Sequence, residues 1–317
     1  MGKFLLRRVL PVLLVAALGV GIWVYTGQAR DADYTDVAYG RTSPSQHLDI
    51  YVPQGRGPFP AVVFAHGGAF MFGDKRMFGR GFRDDVNALN AAGFALVSIN
   101  YRMSGEAKFP AAVQDMKSAL RFIRANAASY RIDPARIALW GQSAGANIAL
   151  DTGMSRGVAL FNDPAALAPA ADDHVSAVVS MYGPTDFIAM DQQLATAGCS
   201  AGAQNHSAVD SPESRYLGAQ ITRVPAMVAQ ANPLTYANPA TPPLLLQHGT
   251  GDCTVPPLQS RILADRVNAV AGPGRALLQY RQSATHADSA FDTPANMASV
   301  IAFFRQAFAA DHFAAKP

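Results

Sequence analysis

The segment Gly141-Gln142-Ser143-Ala144-Gly145 has the G-x-S-x-G pattern that presents a serine nucleophile on a sharp turn. An apolar, strand-like run at residues 136–140 precedes it, and a helix-like run begins at about Ala144. Such a turn strains the serine backbone and exposes its hydroxyl, and side chains two residues to either side would collide. The pattern alone also fits a glycine-rich turn that starts a helix. Its context favours Ser143 as a nucleophile.

A second segment, His66-Gly67-Gly68-Ala69-Phe70, follows a strand-like run at residues 60–65. Acyl transfer develops negative charge on the former carbonyl oxygen, which fixed backbone N–H groups stabilise. Glycine lets the backbone approach a ligand closely. We therefore expect an oxyanion hole formed by Gly68, Ala69 and Ala144. His66 precedes the serine in the chain, so we expect it to brace this loop.

A serine nucleophile needs a histidine base and a carboxylate that orients it. His286 follows a strand-like run at residues 276–282, and Asp252 follows another at residues 244–248. Serine, acid and histidine then occur in the chain order of hydrolases of this kind. Asp186 is the main rival acid, and Asp288 is very near the base. Histidines that we do not expect to be the base precede the acid or lie in the C-terminal tail: His66, His174, His206, His248 and His312.

The elements that must position these residues alternate between short β-like runs and amphipathic helical patterns. This alternation predicts an α/β fold, with a mostly parallel sheet covered by helices. Strands are expected at residues 47–52, 60–65, 94–100, 136–140, 175–182, 244–248 and 276–282. Helices are expected at residues 82–92, 109–126, from about 144, 258–270 and 295–308. Asp133-Pro134 predicts a turn. Residues 187–243 are irregular and sparse in apolar side chains, so we interpret them as an insertion over the active site.

The N-terminal segment differs in kind from the rest of the chain. Residues 1–8 carry Lys3, Arg7 and Arg8, and residues 9–29 are uncharged and apolar. This is the pattern of an export signal, with an uncleaved membrane anchor at residues 9–29 as the alternative. The chain has 26 basic and 23 acidic residues. Without this segment they balance, so nucleic acid is not an expected partner.

Two cysteines, Cys199 and Cys253, are present. An even number of cysteines in an exported chain suggests a disulfide, with two unpaired buried thiols as the alternative. Such a bond would join the insertion to the residue after Asp252. A metal site is not expected, because no paired histidines lie near the cysteines. For residues 30–317 we expect one domain, periplasmic or secreted unless the anchor is retained.

Four segments together resemble a known family: His66-Gly67-Gly68-Ala69-Phe70, Asn100-Tyr101-Arg102, Phe109-Pro110-Ala111 with Asp115, and Trp140-Gly141-Gln142-Ser143-Ala144-Gly145. They are similar to the bacterial carboxylesterases of the α/β-hydrolase superfamily, in its hormone-sensitive-lipase-like and feruloyl-esterase-like branches. The resemblance covers about residues 40–310. It implies about eight strands, no cofactor, and Ser143, Asp252 and His286 as triad. Arg102 and Asp115 are then structural.

Two departures separate this chain from the lipase-like branch, and the second of them favours the feruloyl-esterase-like branch. Ala69 stands where many lipase-like members have a third glycine, and the long irregular segment is internal and not an N-terminal cap. The expected substrate is a small ester with a short-chain or aryl, feruloyl-type acyl group. Phe70, Phe72 and Tyr182 are candidate pocket walls, although each also fits the core. An amidase or peptidase with the same triad, or a non-catalytic membrane-tethered binding protein, is the alternative.

Overall fold

A computed structural model describes residues 31–76, 82–200 and 205–314. Their strands are β1 (Tyr34–Ala38), β2 (His47–Tyr51), β3 (Phe59–Ala65), β4 (Ala95–Ile99), β5 (Ile132–Gln142), β6 (Val178–Met181), β7 (Leu244–Gly249) and β8 (Ala276–Arg281). They form one sheet in the order β1-β2-β4-β3-β5-β6-β7-β8. β2 is antiparallel to both of its neighbours, β1 and β4, and every other neighbouring pair of these strands is parallel.

Helices cover both faces of this sheet. They are α1 (Phe82–Ala91), α2 (Ala111–Ala125), α3 (Ala144–Met154), α4 (Met190–Thr196), α5 (Pro212–Leu217), α6 (Pro225–Gln230), α7 (Leu258–Ala271) and α8 (Pro294–Ala314). Successive side chains of a strand point to opposite faces. Val63 of β3 accordingly packs in one core cluster with Met116 of α2 and Ile148 of α3. Phe64 packs in the other with Phe304 of α8. Central strands buried on both faces explain the continuous apolar runs in the sequence.

The parallel order brings the carboxyl ends of the six strands from β3 to β8 to one edge of the sheet. The loops after β3, β5, β6, β7 and β8 begin there. The glycine-rich segment, the candidate nucleophile, the candidate acid and the candidate base lie on four of these loops. This edge is where open α/β sheets bind their ligands. The fold therefore gathers residues that are far apart in the sequence.

The seven strands predicted from the sequence are present, with bounds that shift by up to four residues. β1 was not predicted. The turn predicted at Asp133-Pro134 is wrong, because both residues lie inside β5. Pairing with β3 is irregular there, since Phe59 pairs with Ile132 but Ala61 pairs with Ile137. A bulge of this kind accommodates proline within a strand.

The segment at residues 187–243 is more regular than predicted. It contains α4, α5 and α6, which are only six or seven residues long. Tyr216, Ile221 and Val228 of this segment are buried in the same core cluster as α2 and α3. The segment, named the insertion from here on, is thus part of the main core. The predicted signal or anchor at residues 1–29 lies outside the described residues. Within the described ranges, no helix combines the length and apolar character needed to cross a membrane.

Candidate active site

Ser143 lies between β5 and α3 with a backbone φ of 51° and ψ of −120°. A positive φ is strained for any residue with a side chain. The turn is crowded on both sides. A Cβ added at Gly141 would lie 2.2 Å from the Gly145 carbonyl oxygen, and one added at Gly145 would lie 2.2 Å from the Ala65 carbonyl oxygen. The collisions predicted from the motif are therefore present, and they explain why glycine occupies both positions.

The structure brings Ser143, His286 and Asp252 into one hydrogen-bonded line. Ser143 Oγ lies 2.9 Å from His286 Nε2. His286 Nδ1 lies 2.8 Å from Asp252 Oδ2. The carboxylate can only accept, so Nδ1 carries the ring proton and Nε2 accepts from the serine hydroxyl. This is the geometry that activates a serine for nucleophilic attack.

Asp252 is almost fully buried. Its Oδ1 accepts hydrogen bonds from the backbone N–H groups of Thr254 at 2.8 Å and Val255 at 2.9 Å. Burial alone would raise the pKa of this carboxyl, but the charge of His286 and the hydrogen bonds of His248 and His286 outweigh it and lower the pKa. Asp252 is therefore ionised at neutral pH and able to stabilise a protonated imidazole.

His248, near the end of β7, also contacts the acid. Its ring is fully buried, with Nε2 2.9 Å from the Val255 carbonyl oxygen and 3.4 Å from Asp252 Oδ2. Nδ1 lies 2.7 Å from Ser260 Oγ. The sequence analysis rejected His248 as the base and assigned it no other role. The four-residue spacing from His248 to Asp252 was the available signal.

The turn at Asp252–Val255, named the acid turn from here on, is tied to the insertion at two adjacent residues. Cys253 forms a disulfide with Cys199, which confirms the predicted pair. Thr254 offers its carbonyl oxygen to His206 Nε2 at 2.9 Å. Burial lowers the pKa of His206, but the neighbouring Glu213 carboxylate, 3.1 Å from Nδ1, raises it above its usual value. The insertion thus fixes the acid turn by a covalent and a polar contact.

The predicted oxyanion loop has three consecutive residues with positive φ, namely 119° at Gly68, 54° at Ala69 and 59° at Phe70. A Cβ added at Gly67 would lie 3.3 Å from Ser143 Cβ, so the loop runs directly beside the serine. Among the described residues, the backbone N–H groups of Gly68, Ala69 and Ala144 donate to no protein acceptor. They are the donors that the sequence predicts for an oxyanion.

His66 lies beneath this loop and is fully buried. Its Nδ1 lies 2.7 Å from the Gly67 carbonyl oxygen, and its ring stacks on Tyr101 at 4.6 Å. The Tyr101 hydroxyl donates to the His66 carbonyl oxygen at 2.9 Å. Burial lowers the pKa of His66 to about 4, so the ring is neutral. These contacts fit the expected bracing role.

The three predicted pocket residues have different surroundings. Phe70 is buried and stacks on Tyr216 at 4.0 Å, and Tyr182 is buried with its ring 4.9 Å from the His286 ring. Both have little surface left for a substrate, and the Tyr182 ring packs edge-to-face against the His286 imidazole. Phe72 is 38% exposed. Of the three, only Phe72 presents a substantial surface.

The rival acids are engaged elsewhere. Asp186 Oδ1 accepts from Asn232 Nδ2 at 3.3 Å, and Asp288 Oδ1 accepts from the Ala290 N–H at 2.9 Å. Arg102 and Asp115 form a multiply hydrogen-bonded pair with a shortest distance of 2.7 Å, as expected for a structural pair. The described ranges contain no group of three or more His, Cys, Asp or Glu residues placed to bind a metal ion.

Comparison with known proteins gives a family and a fold. The family model BD-FAE matches residues 48–267. Esterase LipC of Mycobacterium tuberculosis is 30% identical over 240 residues, which cover 74% of this chain and 55% of that protein. The chain thus spans little more than half the length of this relative. A carbohydrate esterase from gut microbiota, solved as a truncated form, superposes with a TM-score of 0.77 at 27% identity, covering 87% of this chain and 96% of that one. The Bacteroides eggerthii protein named bifunctional GH43-CE gives a TM-score of 0.76 at 30% identity, covering 87% of this chain and 35% of that one.

Proposed function

Because the chain belongs to the BD-FAE family and has the α/β-hydrolase fold, we propose that it is a serine carboxylesterase. It hydrolyses short-chain or aryl, feruloyl-type esters through an acyl-enzyme. The observation that carries the proposal is the pair of hydrogen bonds, 2.9 Å and 2.8 Å long, that joins Ser143 to His286 and His286 to Asp252. The names of LipC and of the gut carbohydrate esterase support ester hydrolysis as the reaction.

In the first half-reaction, Ser143 Oγ attacks the ester carbonyl carbon while His286 Nε2 takes its proton. The carbonyl oxygen becomes negative and accepts hydrogen bonds from the N–H groups of Gly68, Ala69 and Ala144. Asp252 stabilises the protonated imidazole. As the C–O bond to the alcohol breaks, His286 returns the proton to the leaving oxygen, and the acyl group stays on Ser143.

In the second half-reaction, water replaces the alcohol. His286 takes a proton from this water as its oxygen attacks the acyl carbon. The second tetrahedral oxyanion uses the same three N–H groups. When it collapses, Ser143 Oγ leaves, recovers a proton from His286, and the carboxylic acid is released. No metal or cofactor enters any step of this mechanism.

Partly exposed apolar side chains support an ester with an apolar or aryl group. Met71 and Phe72 follow β3, Ile188 follows β6, and Leu258 follows the acid turn; between 36 and 45% of each is exposed. All four lie on segments that leave the carboxyl edge of the sheet, as Ser143 does. Such side chains bind acyl or aromatic groups well and offer little to a charged substrate.

Export is part of the proposal. The Cys199–Cys253 disulfide is expected to persist in an oxidising compartment such as the periplasm or the extracellular space. The basic and apolar character of residues 1–29 supports the same location. A retained anchor at residues 9–29 would leave the domain attached to the outer face of the membrane.

Activity of the Ser143→Ala variant tests the function. Wild-type protein is assayed with p-nitrophenyl acetate, butyrate and octanoate, methyl ferulate and an acetylated monosaccharide. We expect Ser143→Ala to lose turnover and fluorophosphonate labelling while keeping its circular dichroism spectrum. Hydrolysis retained by the variant would contradict the assignment. Faster cleavage of a matched amide than of its ester would instead favour the amidase alternative.

A further inference from the structure

His248 takes no part in the proton transfers of the proposed mechanism, although its Nε2 lies 3.4 Å from Asp252 Oδ2. It sits on β7, between β6 and β8, and is fully buried. Burying a polar ring costs free energy unless its nitrogens are hydrogen-bonded. Both nitrogens of His248 have hydrogen-bond partners, which offset the cost of burying the ring.

The partners fix the tautomer of this ring. The Val255 carbonyl oxygen can only accept, so His248 Nε2 carries the proton and donates to it at 2.9 Å. Nδ1 then has a free lone pair and accepts from the Ser260 hydroxyl at 2.7 Å. The N–H edge of the ring therefore faces the acid turn, and Asp252 Oδ2 lies 3.4 Å from the same nitrogen.

His248 influences both carboxylate oxygens of Asp252, one through Val255 and the other directly. The backbone N–H of Val255 donates to Asp252 Oδ1, and the Val255 carbonyl oxygen is held by His248. Asp252 Oδ2 accepts from His286 and also faces the polarised N–H of His248. Movement of the carboxylate away from His286 would therefore disturb the hydrogen bonds that anchor Val255.

We infer that His248 is a positioning residue, which aims Asp252 at His286 and shares the negative charge of Oδ2. The inference rests on the proposed function and deepens it. His248 of β7 and Tyr182 of the turn after β6 are two titratable side chains that face the Asp252–His286 pair among the described residues. Without the His248 N–H, the charge of Oδ2 would act on His286 alone. The Asp252 carboxylate would also lose a partner that holds it in line with His286 Nδ1.

Three variants test this inference. His248→Leu removes the N–H at similar volume, and His248→Gln restores an amide N–H near the position of Nε2. Ser260→Ala is the matched control, because it removes the hydrogen bond on the far side of the same ring. The turnover rate is divided by the number of active sites that a fluorophosphonate labels when the labelling is complete. Unfolded protein is not labelled and therefore does not lower the calculated kcat. The hydrogen bond from His286 Nδ1–H to Asp252 is followed by the downfield ¹H NMR signal of that proton, assigned with His286→Ala.

For His248→Leu, we expect kcat per labelled site to fall by roughly ten- to a hundredfold with KM changed less than about twofold. The downfield proton signal of His286 Nδ1–H should shift or broaden, because Asp252 no longer holds its position. His248→Gln should recover most of both, and Ser260→Ala should stay near the wild type. An unchanged Nδ1–H signal, turnover per site equal to the wild type, or an equal effect of Ser260→Ala would each refute the inference. The NMR measurement needs no substrate, so it still reports on His248 if the protein proves not to be an esterase.

Discussion

Removing the Cys199–Cys253 disulfide should destabilise the fold far more than it lowers catalysis. The perturbation is the double variant Cys199→Ser/Cys253→Ser, which leaves no free thiol. The bond closes a loop with a sequence separation of 54 residues. Loop-closure entropy for a loop of this length corresponds to about 4 kcal/mol at 25 °C. Without the bond, the unfolded chain gains this entropy and its free energy falls. The free energy of unfolding decreases by the same amount.

Urea unfolding followed by tryptophan fluorescence measures this effect. We expect the free energy of unfolding to fall by about 4 kcal/mol, with a larger m-value because the unlinked denatured chain exposes more surface. Wild-type protein unfolded in the presence of a reductant should give the same curve as the variant. A decrease below about 1 kcal/mol would refute the loop-closure argument.

Turnover of the folded double variant tests the other half of this prediction. The acid turn keeps two contacts without the disulfide, from His206 Nε2 to the Thr254 carbonyl oxygen and from His248 Nε2 to the Val255 carbonyl oxygen. We therefore expect kcat/KM, measured well below the unfolding transition, to fall no more than about fivefold. A loss greater than about a hundredfold would mean that the disulfide, and not the two histidines, holds the acid.

Three further predictions concern single side chains. Asp252→Asn should lower kcat in an ester assay by roughly ten-thousandfold, because an amide favours the wrong imidazole tautomer. The control Asp186→Asn, at the rival acid, should change kcat less than about threefold. Equal losses in the two variants would contradict the assignment of Asp252. Gly145→Ala should lower the free energy of unfolding in urea by about 3 kcal/mol, since the added Cβ would lie 2.2 Å from a backbone oxygen. The control Gly105→Ala should leave this free energy unchanged, because its Cβ would meet nothing within 4 Å. Burial lowers the pKa of His66 to about 4, so on acidification the unfolded state binds a proton before the folded state does, and the free energy of unfolding should fall between about pH 6.5 and about pH 4. In urea melts across this range, His66→Asn should reduce the fall by on the order of 3 kcal/mol. An unchanged pH dependence would refute a neutral, buried His66.

The sequence predicted the parts of the site whose chemistry is local. Gly141 and Gly145 mark a turn that only glycine permits, and the chain order of Ser143, Asp252 and His286 reflects which strand precedes each residue. Both signals act over a few residues or over a fixed order of strands, so they are visible without coordinates. The disulfide was also predictable, because two cysteines leave a single pairing.

Other features escaped prediction for identifiable physical reasons. β1 is short and mixes exposed and half-buried residues, so it has no apolar run. α4, α5 and α6 extend for at most two turns, too few to show a helical period. Pro134 indicates a turn by its own propensity, and only the irregular pairing with β3 allows it in a strand. Phe70 and Tyr182 are ambiguous in sequence because the core and a pocket favour the same side chains.

The contacts of the acid turn give one part of the insertion a role in placing Asp252. Of the four residues in this turn, Cys253 and Thr254 are held by the insertion, while Asp252 and Val255 contact His248 of β7. The part of the insertion that supplies Cys199 and His206 must therefore keep its place for Asp252 to meet His286. Its later part, which contains α6, makes none of these contacts with the acid turn among the described residues. Substitutions that alter substrate choice without loss of kcat should consequently be tolerated better around α6 than at His206.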